Sequence, residues 1–190
     1  MDIAYSKSEV RRDIVKLAWP TIAEQLLIMM VGIVSTILVS RLGKESMAAV
    51  GMVNILMNFF QTIFAGLSTG TTIVIARITG ETGVIKAKKA LMQSMFIGAV
   101  VGVLFTAINF FFSSSIIKLF FGEAEQKVLD YALLYYRIIL VSVPFMILDM
   151  IIAGGLRGAG DMKTPMYVTA TVNIINGILS LILIFGLNIG

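Results

Sequence analysis

Residues 46–76 carry no charged side chain. Coiled as an α-helix at 1.5 Å per residue, this stretch alone reaches about 45 Å, more than the roughly 30 Å of hydrocarbon in a bilayer. It belongs to one of five apolar segments, over residues 14–40, 46–77, 90–121, 128–155 and 165–190, each long enough to cross a membrane as a helix. Outer-membrane strands would instead give short alternating segments, so long continuous runs point to helices. Composition agrees: of 190 residues, 58% are hydrophobic and 14% charged, and mean hydropathy is +0.96. A soluble domain carries roughly 25% charged residues, and this chain would present far too much apolar surface to water. The expected class is all-α, a polytopic helical membrane protein with five transmembrane helices.

Two absences narrow the chemistry. Without cysteine there are no disulfides or thiolate metal sites, and without histidine the usual near-neutral proton shuttle is missing. Any proton chemistry must run on carboxylates. No paired acids or nucleophile–base set is visible, so an enzyme lacks its parts. The net charge of +4 is read as topology, with no nucleic-acid pattern accompanying it.

The cations set an orientation. Lys7, Arg11, Arg12, Lys16, Arg77, Lys86, Lys88, Lys89, Arg157 and Lys163 fall on one set of connections, whereas Arg41, Lys44, Lys118 and Lys127 fall on the other; Arg137 lies within the fourth segment. Ten against four predicts a cytoplasmic N-terminus in a multi-pass protein of the cell membrane, the inner membrane of a bacterium. The first 19 residues lack a short apolar region with a small-residue cleavage site and read as a cytoplasmic lead-in. The closing Asn-Ile-Gly brings neither a charge cluster nor a polar tail, and the expectation is the first part of a longer protein.

Polar residues within apolar spans are the functional pointers. Glu24, a turn beyond Pro20, and Asp149, two turns before Arg157, are the acids set well inside the helical spans. Glu24 reads as an interfacial carboxylate or a cation site. Asp149 reads equally as a structural partner for a neighbouring helix or as a proton or substrate-cation site. Asn173, Asn176 and Ser180 share one face of the fifth helix and are candidates to line a wet cavity. Asn54, Asn58 and Gln61 repeat the spacing on the second helix and read as interhelical glue. Gly98/Gly102 and Gly66/Gly70 are small-residue pairs that suit close helix approach. The stretch "GGLRGAGDMKTPM", residues 154–166, reads as a hinge: its glycines allow close approach and tight turns, Asp161 can cap, and Pro165 suits a helix start.

Taken together, several stretches resemble the multidrug and toxic compound extrusion (MATE) transporters. They are "LAWPTIAEQLL" (17–27), "VSTILVSRLGKESMAAVG" (34–51), "FAGLSTGTTIVIARITGE" (64–81), the "LRG-x-GD-x-x-TP" pattern from Leu156 to Pro165, and "NIINGILSLILIFG" (173–186). The resemblance covers almost the whole chain in order. It implies twelve helices in two six-helix lobes, of which residues 1–190 form part of the N-terminal lobe, the rest being a missing C-terminal lobe. It also implies a secondary antiporter exporting amphipathic, often cationic drugs or organic cations across the bilayer. Such transporters are driven by inward movement of protons or sodium, with no other cofactor, and any sodium site would lie near Asn176.

This sequence departs from the family at two positions. Where many members carry an aspartate eight residues before Gly43, it has Ser35, and where one branch carries an aspartate four residues after Asn176, it has Ser180. A serine neither releases a proton near neutral pH nor binds sodium well without a carboxylate beside it. Coupling would then sit in the C-terminal lobe, or on Asp149, or be absent. The alternative to an antiporter is a non-transporting membrane scaffold or assembly subunit derived from one.

Overall fold

The computed structural model describes residues 7–40 and 43–182. They form six helices: α1 (Lys7–Ser40), α2 (Lys44–Thr82), α3 (Val84–Phe111), α4 (Ser113–Phe121), α5 (Gln126–Gly158) and α6 (Lys163–Leu181). Among the described residues, α1, α2, α3 and α5 contain stretches long and apolar enough to cross a membrane. Arg41 and Leu42 of the first turn, and residues 183–190 of the fifth apolar segment, lie outside the described residues.

The chain divides into two units. Residues 36–160 make one, and residues 1–35 with 161–190 make the other.

In the first unit α5 is the hub, packed against α2, α3 and α4. Ala132, Tyr136, Leu140, Val143, Ile147 and Ile151 recur every three or four residues and are all buried, so one stripe of α5 meets its neighbours. The opposite stripe, with Leu134, Ile138, Val141 and Phe145, is exposed and just as apolar, as a lipid-facing surface requires. Lipid tails are as oily as leucine, so close packing and interhelical hydrogen bonds drive association here.

The α2–α5 contact illustrates this. Ser68 Oγ donates to Met150 O at 2.6 Å, Thr72 Oγ1 donates to Gly154 O at 2.8 Å, and Lys127 Nζ meets Glu45 Oε1 at 3.4 Å. All three pairs have a sequence separation of 82, so the helices run parallel in one register from end to end. Glycine permits the approach: a Cβ on Gly154 would stand 2.6 Å from Ser68 O, and one on Gly158 would stand 2.5 Å from Thr72 O. The hinge glycines are thus a helix-crossing surface. Gly66 and Gly70 behave differently, with open space around both, so they mediate no close approach here.

α3 runs antiparallel to α5 and crosses it at Pro144. A Cβ on Gly102 would fall 2.9 Å from Pro144 Cα, and one on Gly98 would meet the Ile151 side chain. Pro144 has no N–H to offer the carbonyl four residues before it. That carbonyl, Leu140 O, receives the Thr106 hydroxyl at 3.1 Å instead. A freed carbonyl in an apolar span is tolerated because a neighbouring helix supplies the donor. Phe105 adds edge-on contacts to Phe60 and Phe64 of α2, with centroids 4.8 and 4.9 Å apart.

The apolar segment 90–121 is two helices, a correction to the single span expected there. Neither proline nor glycine causes the break. Phe112 sits at φ −96°, ψ 11°, and the Ser113 hydroxyl takes Phe110 O, drawing a backbone acceptor out of the helical ladder.

In the second unit, α6 begins at a capped turn. Gly160 adopts φ +88°, which favours glycine, and Asp161 follows. Asp161 Oδ1 accepts from Lys163 N at 3.1 Å and Thr164 N at 3.0 Å, and its other oxygen accepts the Thr164 hydroxyl. These bonds, the Thr164 hydroxyl foremost, hold the Asp161 carboxyl below the usual aspartate range.

Candidate functional site

Glu24 is the acid that the fold hides. It is 4% exposed, on the face of α1 that also buries Pro20. A carboxylate in so apolar a segment is expensive unless it meets a proton, a cation or hydrogen-bond donors. On α6 the Thr169 hydroxyl lies 3.4 Å from Glu24 Oε1, a long hydrogen bond. One turn further along the same face is Asn173, half-buried, whose side-chain Nδ2 is buried without a hydrogen-bond partner. Asn176 and Ser180 continue this face, Asn176 exposed and Ser180 half-buried. The arrangement sets one hydroxyl against a buried carboxylate, with an amide one turn further along α6.

The other sequence candidates fall elsewhere. Ser35 lies on an exposed face of α1, and no hydrogen bond joins it to Ser180. Asp149 belongs to the α2–α5 bundle, where it is exposed on α5. Neither position has the burial that sets Glu24 apart.

Within the bundle, α2 carries a second polar feature. Asn54, Asn58, Gln61, Thr62 and Thr69 are exposed, and of these Gln61 lies at the edge of the α5 contact. Thr62 and Thr69 bond carbonyls of their own helix, Asn58 O and Ala65 O, both at 2.9 Å. Gln61 Nε2 reaches Met146 Sδ at 3.4 Å, and Asn54 and Asn58 make no side-chain hydrogen bond among the described residues. Gln61 thus bridges α2 and α5 as interhelical glue, whereas Asn54 and Asn58 do not do so within this unit. Hydrocarbon would leave them unsatisfied, so this stripe suits a wet cavity or another protein surface.

Three groups escaped the reading of the sequence. Asn109, Ser113 and Tyr136 are all buried. Tyr136 Oη donates to Asn109 Oδ1 at 2.8 Å, Asn109 Nδ2 donates to Phe105 O at 2.9 Å, and Arg137 Nε donates to Ser113 Oγ at 2.9 Å. The Arg137 guanidinium also lies over the Phe110 ring, 5.6 Å from its centroid. The available signal was Asn109 with Ser113 one turn on, inside an otherwise apolar run. Each polar side-chain atom of the Asn109–Tyr136 pair has a partner, so the pair ties α3 to α5.

Long apolar helices, tied together in the first unit by small residues and interhelical hydrogen bonds, are the build of a helical membrane protein. The family model MatE matches residues 20–182, and the chain belongs to that family. It is 33% identical over 178 residues to the probable multidrug resistance protein NorM of Thermotoga maritima, covering 94% of this chain and 38% of that protein. It is 24% identical over 180 residues to the FAD transporter of Shewanella oneidensis, covering 94% and 39%. Among solved structures it superposes on a MOP superfamily transporter from Pyrococcus furiosus with a TM-score of 0.84 and 27% identity, covering 92% of this chain and 38% of that one. The chain thus spans well under half the length of the relatives it matches.

Proposed function

We propose that this chain forms the N-terminal part of a secondary active antiporter exporting amphipathic, often cationic compounds, driven by inward movement of protons or sodium ions. The carrying observation is Glu24, buried on α1 with the Thr169 hydroxyl of α6 at 3.4 Å. A carboxylate there is stable when protonated or when a cation sits against it, and costly when bare. Binding of a coupling ion and of a cationic substrate then compete for one charge, which is what an exchange cycle requires. Ser35 and Ser180 cannot provide that charge, and Glu24 replaces them in this reading.

The relatives support export as the class: NorM is named for multidrug resistance, and the Shewanella protein for FAD transport. The exposed amides of α2 would line the substrate path. A second lobe completes the cavity, consistent with the 38% share of the NorM relative that this chain matches. Ten cations against four support a cytoplasmic N-terminus.

The test is ethidium accumulation in cells making the protein at its natural full length. Wild type should lower accumulation, and Glu24→Gln should abolish that effect while folding and inserting normally. Wild-type export by Glu24→Gln removes Glu24 from the mechanism. Unchanged accumulation across a panel of dyes and drugs removes multidrug export. Vesicles given either a pH or a sodium gradient identify the coupling ion.

A further inference from the structure

We propose that a cavity between α4 and α5 binds the headgroup of a zwitterionic phospholipid bearing a primary ammonium, of the phosphatidylethanolamine type. The cavity encloses about 160 Å³, with Ser114 and Lys118 of α4 on one side and Gln126 and Asp130 of α5 on the other. Its floor is apolar, with Ile117 and Leu129 both buried. That space equals roughly five water volumes, enough for a phosphate and a two-carbon amine.

Charge decides the ligand class. Lys118 and Asp130 line one cavity yet form no ion pair with each other. Gln126 Nε2 donates to Asp130 Oδ1 at 2.9 Å, which fixes that carboxylate in place. An ammonium and a carboxylate held apart suit a ligand carrying both signs, with phosphate toward Lys118 and amine toward Asp130. Glu123 and Glu125, exposed in the turn between the helices, add negative charge and disfavour a purely anionic lipid. A trimethylated amine has no N–H to donate to Asp130, so a choline headgroup fits less well.

Position points to lipid as the source. The apolar spans Ile85–Phe111 and Gln126–Gly158 meet this corner at their ends, which places it at headgroup depth. Beside it, Phe111 and Leu119 are 84% and 81% exposed, and Phe112 and Phe120 are also exposed. Such side chains offer a greasy shelf for acyl chains next to a polar slot.

The experiment is native mass spectrometry on the natural full-length protein in mild detergent, titrated separately with phosphatidylethanolamine, phosphatidylcholine and phosphatidylglycerol. Phosphatidylethanolamine should be retained preferentially. Lys118→Gln and Asp130→Asn should each weaken its retention about tenfold, the loss of one charge-assisted hydrogen bond. Lys118→Arg should keep it, and water-soluble glycerophosphoethanolamine should not displace it. Equal retention of the three lipids, unchanged retention in both charge-removing variants, or displacement by the soluble headgroup each overturns the proposal. Both side chains are exposed, so the variants should fold. The readout is independent of dye export, so the proposal and the transport reading fail separately.

Discussion

Asn109 and Asn173 are both asparagines on apolar helices, and their surroundings differ in a telling way. Asn109 accepts the Tyr136 hydroxyl at 2.8 Å and donates to its own helix at 2.9 Å. Asn173 has a buried Nδ2 with no hydrogen-bond partner, one turn from a Thr169–Glu24 contact stretched to 3.4 Å. The first arrangement is complete and holds helices together. The second has unused donor capacity beside a carboxylate. In an apolar medium an unused polar group is costly, so the Asn173 side keeps an unmet demand for a hydrogen-bond acceptor.

The sharpest way to break this contrast is to disrupt the completed side. Gly154→Leu drives a side chain into Ser68 and Thr72, and should lower stability by about 3 kcal/mol, since no rotamer escapes a backbone contact. Thermal unfolding in detergent reads this; an unchanged melting temperature would mean that α2 and α5 do not meet at this register. On the incomplete side, Glu24→Gln should reduce dye export at least tenfold, equivalent to about 1.4 kcal/mol, with little change in melting temperature. A variant that unfolds but exports normally per folded molecule would make Glu24 a structural residue like Asn109.

Smaller effects refine the picture. Thr106→Val leaves Leu140 O without the donor that Pro144 cannot provide, and should cost about 1 kcal/mol. Tyr136→Phe should cost a similar or smaller amount, about 0.6–1 kcal/mol, and a double-mutant cycle with Asn109→Ala should show coupling. Neither variant should change export per folded molecule. The smallest effect is at Asp161. Its carboxyl titrates below the usual value of 3.8, so its contribution is complete above that value and is lost as pH falls through the lower folded one. Protection of the Lys163 and Thr164 amides, taken relative to their intrinsic exchange rates, should therefore hold steady at neutral pH and fall only in strong acid. Asp161→Ala should show the faster exchange at every pH.

Much of this was legible beforehand. Helix class and the apolar spans follow from run length alone, because a bilayer demands about twenty apolar residues per crossing. Gly98, Gly102 and the glycines of residues 154–158 were readable as contact points from spacing. The break at Phe112 was not, because it depends on Ser113 capturing a backbone carbonyl and on Arg137 reaching Ser113 from another helix. Of the α2 amides, Gln61 meets α5 as expected while Asn54 and Asn58 do not, because spacing places residues on one face but does not say which face meets a neighbour.

By itself, then, the amino-acid sequence determined a helical membrane protein, the resemblance to the MATE family, and serine at positions 35 and 180, since these depend on composition, order and residue identity. Only the tertiary structure separated Glu24 from Asp149. Both are lone acids in apolar helices, and neither spacing nor hydropathy ranks them. Burial does: α6 brings the Thr169 hydroxyl to the face of α1 that carries Glu24, while Asp149 stays on an exposed face of α5. A charge becomes mechanistically interesting when its water is removed, and that is a property of packing.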